Sequence, residues 1–189
     1  MQTDEHVELD DQQQYAIDRI KGGGNVFIDG SAGRGKSVIS RQVTDPYDTV
    51  VGAPTGAAAL NEGGFTFHKL FKLPLSYPIK KLILGEIGMC RADVLGLINK
   101  RLQLARANPA PFGGLQVIVS GDLLQLSPIV GGEERYKFNK QYASPYAFSS
   151  PAWDFERVEL IKSYRTVDTR QIAMLESLRR GDKHSGRAL

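Results

Sequence analysis

The sequence is poor in the residues that staple a chain or clamp a metal. Its single cysteine, Cys90, leaves no internal disulfide to form, and a reducing, intracellular setting, cytoplasmic or nuclear, is expected. The three histidines, His6, His68 and His184, are too scattered to suggest a metal cluster. No run of Lys and Arg exceeds two residues, so the net charge of +3 permits a polyanionic partner without demanding one. No apolar run approaches membrane-spanning length, and the acidic, polar stretch from Met1 to Asp11 is neither a secretory signal nor a transit peptide. Internal repeats and low-complexity segments are also missing. What is present, 189 residues that are 41% hydrophobic and 24% charged, suits one globular domain with a real core.

The most informative stretch is Gly30-Ser31-Ala32-Gly33-Arg34-Gly35-Lys36-Ser37, which fits the phosphate-binding pattern G-x-x-x-x-G-K-S/T. The apolar run from Asn25 to Asp29 reads as a buried strand before it, and Ser37 to Val43 reads as a helix after it. Glycines let such a loop turn its backbone N–H groups onto phosphates, and the new helix adds its positive end. Lys36 would bridge the outer phosphates and the Ser37 hydroxyl would hold Mg2+.

Around that loop the chain alternates strands and helices. A first helix begins after Leu9, with Asp10 and Gln13 spaced as a capping box. Gln13 equally suits a bidentate reader of adenine, accepting from N6 and donating to N7. Thr49–Ala53 reads as a strand running into Pro54-Thr55-Gly56, where Thr55 either grips a phosphate or caps a helix. Phe65, Phe67 and Phe71 interleave with Lys69 and His68, a pattern that serves base stacking or an ordinary core. Lys81–Glu86 reads as a strand ending at an acid, as in P-loop nucleotide hydrolases, where carboxylates after a strand hold the metal and polarise water; an Asp is expected at position 85. Arg91–Leu102 reads as an amphipathic helix, Pro109–Gly114 as a surface turn and Leu115–Ser120 as a central strand. That strand delivers Gly121-Asp122-Leu123-Leu124-Gln125 to the carboxyl edge of the sheet, where open α/β sheets bind ligands. An irregular loop with aromatic anchors spans Pro145 to Trp153, Val158–Leu160 is a further strand, and a last helix runs from Asp168 to Gly181. The alternation predicts an α/β fold, a mostly parallel sheet with helices on both faces.

Several fragments stand in a telling order: Leu9-Asp10-x-x-Gln13, the phosphate loop, Ala53-Pro54-Thr55-Gly56-Ala57-Ala58-Ala59, Thr66-Phe67-His68, Glu86-Ile87-Gly88-Met89-x-Arg91-Ala92-Asp93, Pro111-Phe112-Gly113-Gly114, Gly121-Asp122-x-x-Gln125-Leu126-x-Pro128 and Tyr164-Arg165. From about Leu9 to Gly181 this series resembles the first RecA-like lobe of the PIF-type (petite integration frequency) DNA helicases, relatives of the RecD-like enzymes. The resemblance implies a RecA-like P-loop NTPase domain over residues 9–181, with short flexible segments at 1–8 and 182–189. It implies ATP and Mg2+ as cofactors, single-stranded DNA as partner, a monomer, and 5′-to-3′ movement in the full protein. Carried over by position, Gln13 reads adenine, residues 30–37 cradle the phosphates, and Ser37 and Glu86 serve the metal. Lys36, Glu86, Gln125 and Arg165 form the catalytic set: Glu86 activates water, Gln125 senses the γ-phosphate, and Arg165 neutralises charge developing on it. Pro54, Thr55, Gly56, Thr66 and His68 lie along the DNA track.

The chain departs from that family at informative places. Gly85-Glu86 stands where the family has Asp-Glu, Gly88 where it usually has Ser, and Thr166 where it usually has Gln. The connections between Lys36 and Val50, and between Leu73 and Leu82, are shorter than usual. Phosphoryl transfer depends on metal and fixed dipoles, so hydrolysis is expected to suffer more than binding. Asp29 and Asp122 are the two carboxylates considered as stand-ins for the missing one. A second RecA-like lobe, which such a helicase needs, does not follow Gly181 in this chain. The alternatives are a non-catalytic nucleotide- or DNA-binding module with a degenerate Mg2+ site and, further off, a small P-loop kinase of metabolites.

Overall fold

The computed structural model of the chain describes residues 8–70 and 79–164, with the single positions 173 and 177. Phe71, Arg165, Thr166, the last helix expected from Asp168 to Gly181 except those two positions, the tail at 182–189 and nearly all of segment 1–8 therefore lie outside the described residues.

Six strands form one sheet among these residues: β1 (Val26–Asp29), β2 (Thr49–Ala53), β3 (Phe65–Thr66), β4 (Lys81–Leu84), β5 (Gln116–Gly121) and β6 (Glu156–Glu159). Their order is β3-β2-β4-β5-β1-β6, and every ladder is parallel. β5 lies between β4 and β1, the central place its β-branched run suggested. α1 (Asp11–Lys21) precedes the first strand, and the crossovers that parallel neighbours need contain α2 (Lys36–Val43), α3 (Gly56–Asn61), α4 (Phe67–Leu70), α5 (Ala92–Ala105) and α6 (Gly132–Gln141).

Side chains alternate along each strand, which splits the core into two layers. Phe27, Leu82, Leu84, Val117 and Val119 face Leu95, Ile98 and Leu102 of α5, with Phe67 and Leu70 of α4. Val26, Ile28, Val51, Ile83, Ile118 and Val158 face Ala16, Ile17 and Ile20 of α1 and Ile39 and Val43 of α2. Both faces are therefore covered, as the uninterrupted apolar strands predicted. Cys90 is buried, and burial pushes its thiol up to about 12, so it acts as a core residue rather than a nucleophile.

Two elements differ from the sequence expectation. The Pro111–Gly114 segment is anchored in the core instead of lying on the surface: Phe112 is 1% exposed, and its N–H donates to Asn99 Oδ1 at 2.6 Å. α6 was not predicted, because Glu133, Glu134, Lys137 and Lys140 give it no apolar stripe. Its one buried side chain, Phe138, lies under the Arg91 guanidinium at 5.3 Å, and Arg91 also bonds Glu134 at 2.7 Å. These anchors are distant in sequence, so no local window could carry the signal.

Candidate nucleotide-binding site

Because the strands are parallel, their carboxyl ends share one edge, and the phosphate loop, Pro54-Thr55-Gly56, Thr66-Phe67-His68, Glu86 and Gly121-Asp122-x-x-Gln125 stand at the end of a strand or just after it. The phosphate loop leaves β1 at Asp29 and enters α2 at Lys36. Gly33 and Gly35 both have left-handed backbones, at φ 80° and 81°, and a Cβ on Gly35 would collide with the Gln13 amide nitrogen. Lys36 Nζ folds back onto the loop, donating to the carbonyls of Gly30 at 2.7 Å and Ser31 at 3.1 Å. The Ser37 side, at the first turn of α2, is exposed. Arg34 donates to Ser31 Oγ at 2.6 Å and to the carbonyls of Leu160 and Ile161, tying the loop to the chain after β6.

Gln13 is 1% exposed and completes both halves of the capping box, accepting from Asp10 N–H at 3.1 Å while Asp10 accepts from Gln13 N–H at 2.7 Å. Its Oε1 also accepts from the Tyr164 hydroxyl at 3.1 Å, so the cap reading holds and Nε2, beside Gly35, is the end turned toward the loop. Tyr164 also donates to Asp10 Oδ2 at 2.7 Å, and burial followed by this bond pushes its ionisation up to about 12.

A cleft of about 590 Å³ opens beside the loop, a volume common for small-ligand sites. Lys36 and Ser37 line it with Glu86 from the end of β4 and Gln125 from the segment after β5. Four of the residues singled out in the sequence thus converge on one space. Glu86 has a left-handed backbone, φ 52°, where the chain turns out of the sheet into the short 3-10 turn Ile87–Met89. Gly88 in that turn is buried, and a Cβ there would collide with the Asp122 carbonyl. Restoring the serine common at this place in the resembled family, Gly88→Ser, is therefore expected to destabilise the fold by about 1–3 kcal/mol. A denaturant midpoint unchanged from the parent would contradict this.

Neither carboxylate considered as a stand-in lines the cleft. Asp29 is 5% exposed and held by Arg157 through bonds of 2.9 and 2.6 Å. Asp122 is 2% exposed and accepts from Leu124 N–H at 3.0 Å. The cleft wall carries instead a residue that sequence reasoning passed over: Glu62, the residue after α3. Burial, and then the nearby Glu86 charge, raise its carboxyl above the usual range, with Arg41 and Lys36 opposing. Within a single sequence, a lone acid ahead of Gly63-Gly64 looks like any helix end, and no local signal marks it.

Pro54, Thr55, Gly56, Thr66 and His68 lie on the same edge at the ends of β2 and β3, where Ala53 and Thr66 pair in register. Thr55 Oγ accepts from Ala58 N–H at 3.2 Å and Thr66 Oγ from Lys69 N–H at 3.3 Å, so both hydroxyls cap helices. Gly56 and His68 are exposed, whereas Phe67 is 3% exposed and belongs to the core.

A parallel sheet covered on both faces, with a phosphate loop leading from β1 into a helix and an acid at the end of β4, one strand further across β5, defines a RecA-like P-loop nucleotide-binding domain. A sequence model described as PIF1-like helicase matches residues 77–179. The chain belongs to the PIF1-like helicase family. It is 31% identical over 199 residues to ATP-dependent DNA helicase PIF1 of Danio rerio, covering 92% of this chain and 30% of that protein. With ATP-dependent DNA helicase Pif1 of Bdellovibrio bacteriovorus it shares 31% identity over 202 residues, 93% of this chain and 44% of the relative. The crystal structure of Pif1 helicase from Bacteroides in complex with ADP-AlF3 and ssDNA superposes with a TM-score of 0.84 at 32% identity, covering 92% of this chain and 47% of that one. The chain thus spans less than half the length of these relatives.

Proposed function

We propose that residues 9–181 form the first, ATP-binding motor lobe of a 5′-to-3′ DNA helicase, acting as a monomer within the cell with a second RecA-like lobe to couple ATP hydrolysis to movement along single-stranded DNA. The observation that carries this reading is the convergence of Lys36, Ser37, Glu86 and Gln125 on one cleft at the carboxyl edge of the sheet. The complex of the Bacteroides relative with ADP-AlF3 and ssDNA supports it, as does the share of the relatives' length that this chain spans.

In this reading the N–H groups of residues 30–37 and the Lys36 ammonium bind the phosphates, the ammonium exchanging its bonds to Gly30 and Ser31 for phosphate oxygens. The oxygen donors Ser37 and Glu86, lining one cleft with no soft ligand among its lining residues, fit Mg2+, which when bound would supply neutralisation of phosphate charge. Glu86 orients the attacking water, Gln125 contacts the γ-phosphate, and Arg165 neutralises charge developing there. Gln13 reads adenine, its Nε2 being the group turned toward the loop. Single-stranded DNA follows the edge from Pro54, Thr55 and Gly56 to Thr66 and His68.

Equilibrium titrations of ATP and GTP, with and without Mg2+, test this directly. ATP is expected to bind more tightly than GTP, and Gln13→Ala to reduce the preference while the folded chain remains. No binding of either nucleotide by the intact chain would overturn the reading.

A further inference from the structure

The place left open at Gly85 is not empty of charge. An ideal Cβ built on Gly85 lies 3.3 Å from Glu62 Cγ, 3.4 Å from its Cδ and 3.5 Å from its Oε1. A side chain at position 85 would grow into the volume that the Glu62 carboxylate already fills, so the two positions share one space, and in this chain that space holds one carboxylate.

We propose that Glu62, at the C-terminal end of α3, replaces the carboxylate absent at position 85, so that the divalent cation accompanying bound nucleotide is supported from α3, by Glu62 together with Ser37 and Glu86, and not from the β4 strand. The inference rests on the ATP-binding reading above.

The backbone fixes Glu62 in that place. Its N–H caps α3 by donating to the carbonyls of Ala58 and Leu60, and the chain then turns through Gly63 at φ 67°. A Cβ on the next residue, Gly64, would collide with the Val51 carbonyl, so the chain after α3 lies flat on β2. β2 is in turn bonded to the end of β4, where Gly85 N–H donates to the Gly52 carbonyl at 2.8 Å. Only glycine allows this close passage. Glu62 thus stands in a turn that the close approach of Gly64 holds against β2.

Among the described residues the Glu62 carboxylate accepts no hydrogen bond and forms no ion pair, although it is half-buried and shares the cleft with Glu86. Two acids facing one cleft repel, and a carboxylate at a helix C-terminus also meets the negative end of the dipole. A cation between them and Ser37 removes both penalties. A merely degenerate site, having lost its acid at 85, gives no reason for an acid at 62 to be turned into the same volume.

Binding of a fluorescent ADP analogue, titrated with and without Mg2+, separates these cases without relying on turnover. In Glu62→Gln, which preserves size, the tightening that Mg2+ confers is expected to fall roughly ten- to a hundred-fold, the scale seen for groups supporting a metal, while Mg2+-free binding holds. Gly85→Asp in the Glu62→Ala background is expected to restore the Mg2+ effect, because the carboxylate returns to the same space. Gly85→Asp with Glu62 intact should add nothing. Full Mg2+ dependence in Glu62→Gln, an additive gain from Gly85→Asp beside Glu62, or no Mg2+ dependence in the parent chain would each overturn the proposal. Lys36→Ala serves as the separate control: nucleotide binding undiminished in that variant would remove the ATP-site reading itself, whatever Glu62 does.

Discussion

Lys36→Ala is expected to weaken ATP binding about ten- to a hundred-fold, the equivalent of about 1.5–3 kcal/mol for a hydrogen-bonded charge. The ammonium is already poised: it sits over the loop carbonyls of Gly30 and Ser31, which also orient it for a triphosphate. Removing it takes away the loop cation that lines the cleft, while the Arg34 guanidinium bonds Ser31 and the chain after β6. Arginine at position 36 is not a conservative replacement, since a planar fork cannot occupy the same point. Lys36 is only partly buried, so the fold should survive, and a circular-dichroism melt can establish this before calorimetric titration with ATP. Affinity equal to the parent would show that the phosphates do not lie in this loop.

Phe112→Ala is expected to cost about 3–5 kcal/mol, the range for a large aromatic removed from a packed core. Against a total of about 5–15 kcal/mol this approaches unfolding. Phe112 is 1% exposed, its ring centroid lies 5.9 Å from that of Phe155, and it belongs to the same cluster as Leu102 and Leu115. It does this from a left-handed backbone, φ 51°, stabilised by the Asn99 acceptor, while Gly113 follows at φ 63° against the Leu102 carbonyl. The Pro-Phe-Gly-Gly fragment that helped to suggest the family is thus a packing device that locks α5 onto the start of β5. Guanidinium denaturation checks the value, with Ile129→Ala as a reference, since Ile129 is 83% exposed and should change stability by less than about 0.5 kcal/mol. A loss near that reference would mean that the ring does not hold the core.

The legible parts of this chain were those whose signal is local. The strand-loop-helix around Lys36, the Thr49–Ala53 strand, the Asp10–Gln13 cap and the β5 strand each follow from residues within one window. Two readings left open by the residues were decided by packing: Phe67 went to the core, and the Thr55 hydroxyl to a helix cap. α6 escaped because its hold on the domain is Phe138 under Arg91, a contact that periodicity cannot register. Arg165 remains named from resemblance alone, beyond the described residues.

The sequence by itself determined the phosphate loop, the alternation of strands and helices and the departure at Gly85, because each is written in neighbouring residues and in backbone freedoms that only certain residues allow. Only the tertiary structure decided what stands opposite Gly85. The order β2-β4 brings the end of α3 over the end of β4, and in that crossing the Glu62 carboxylate meets a space that its distance along the chain gives no hint of.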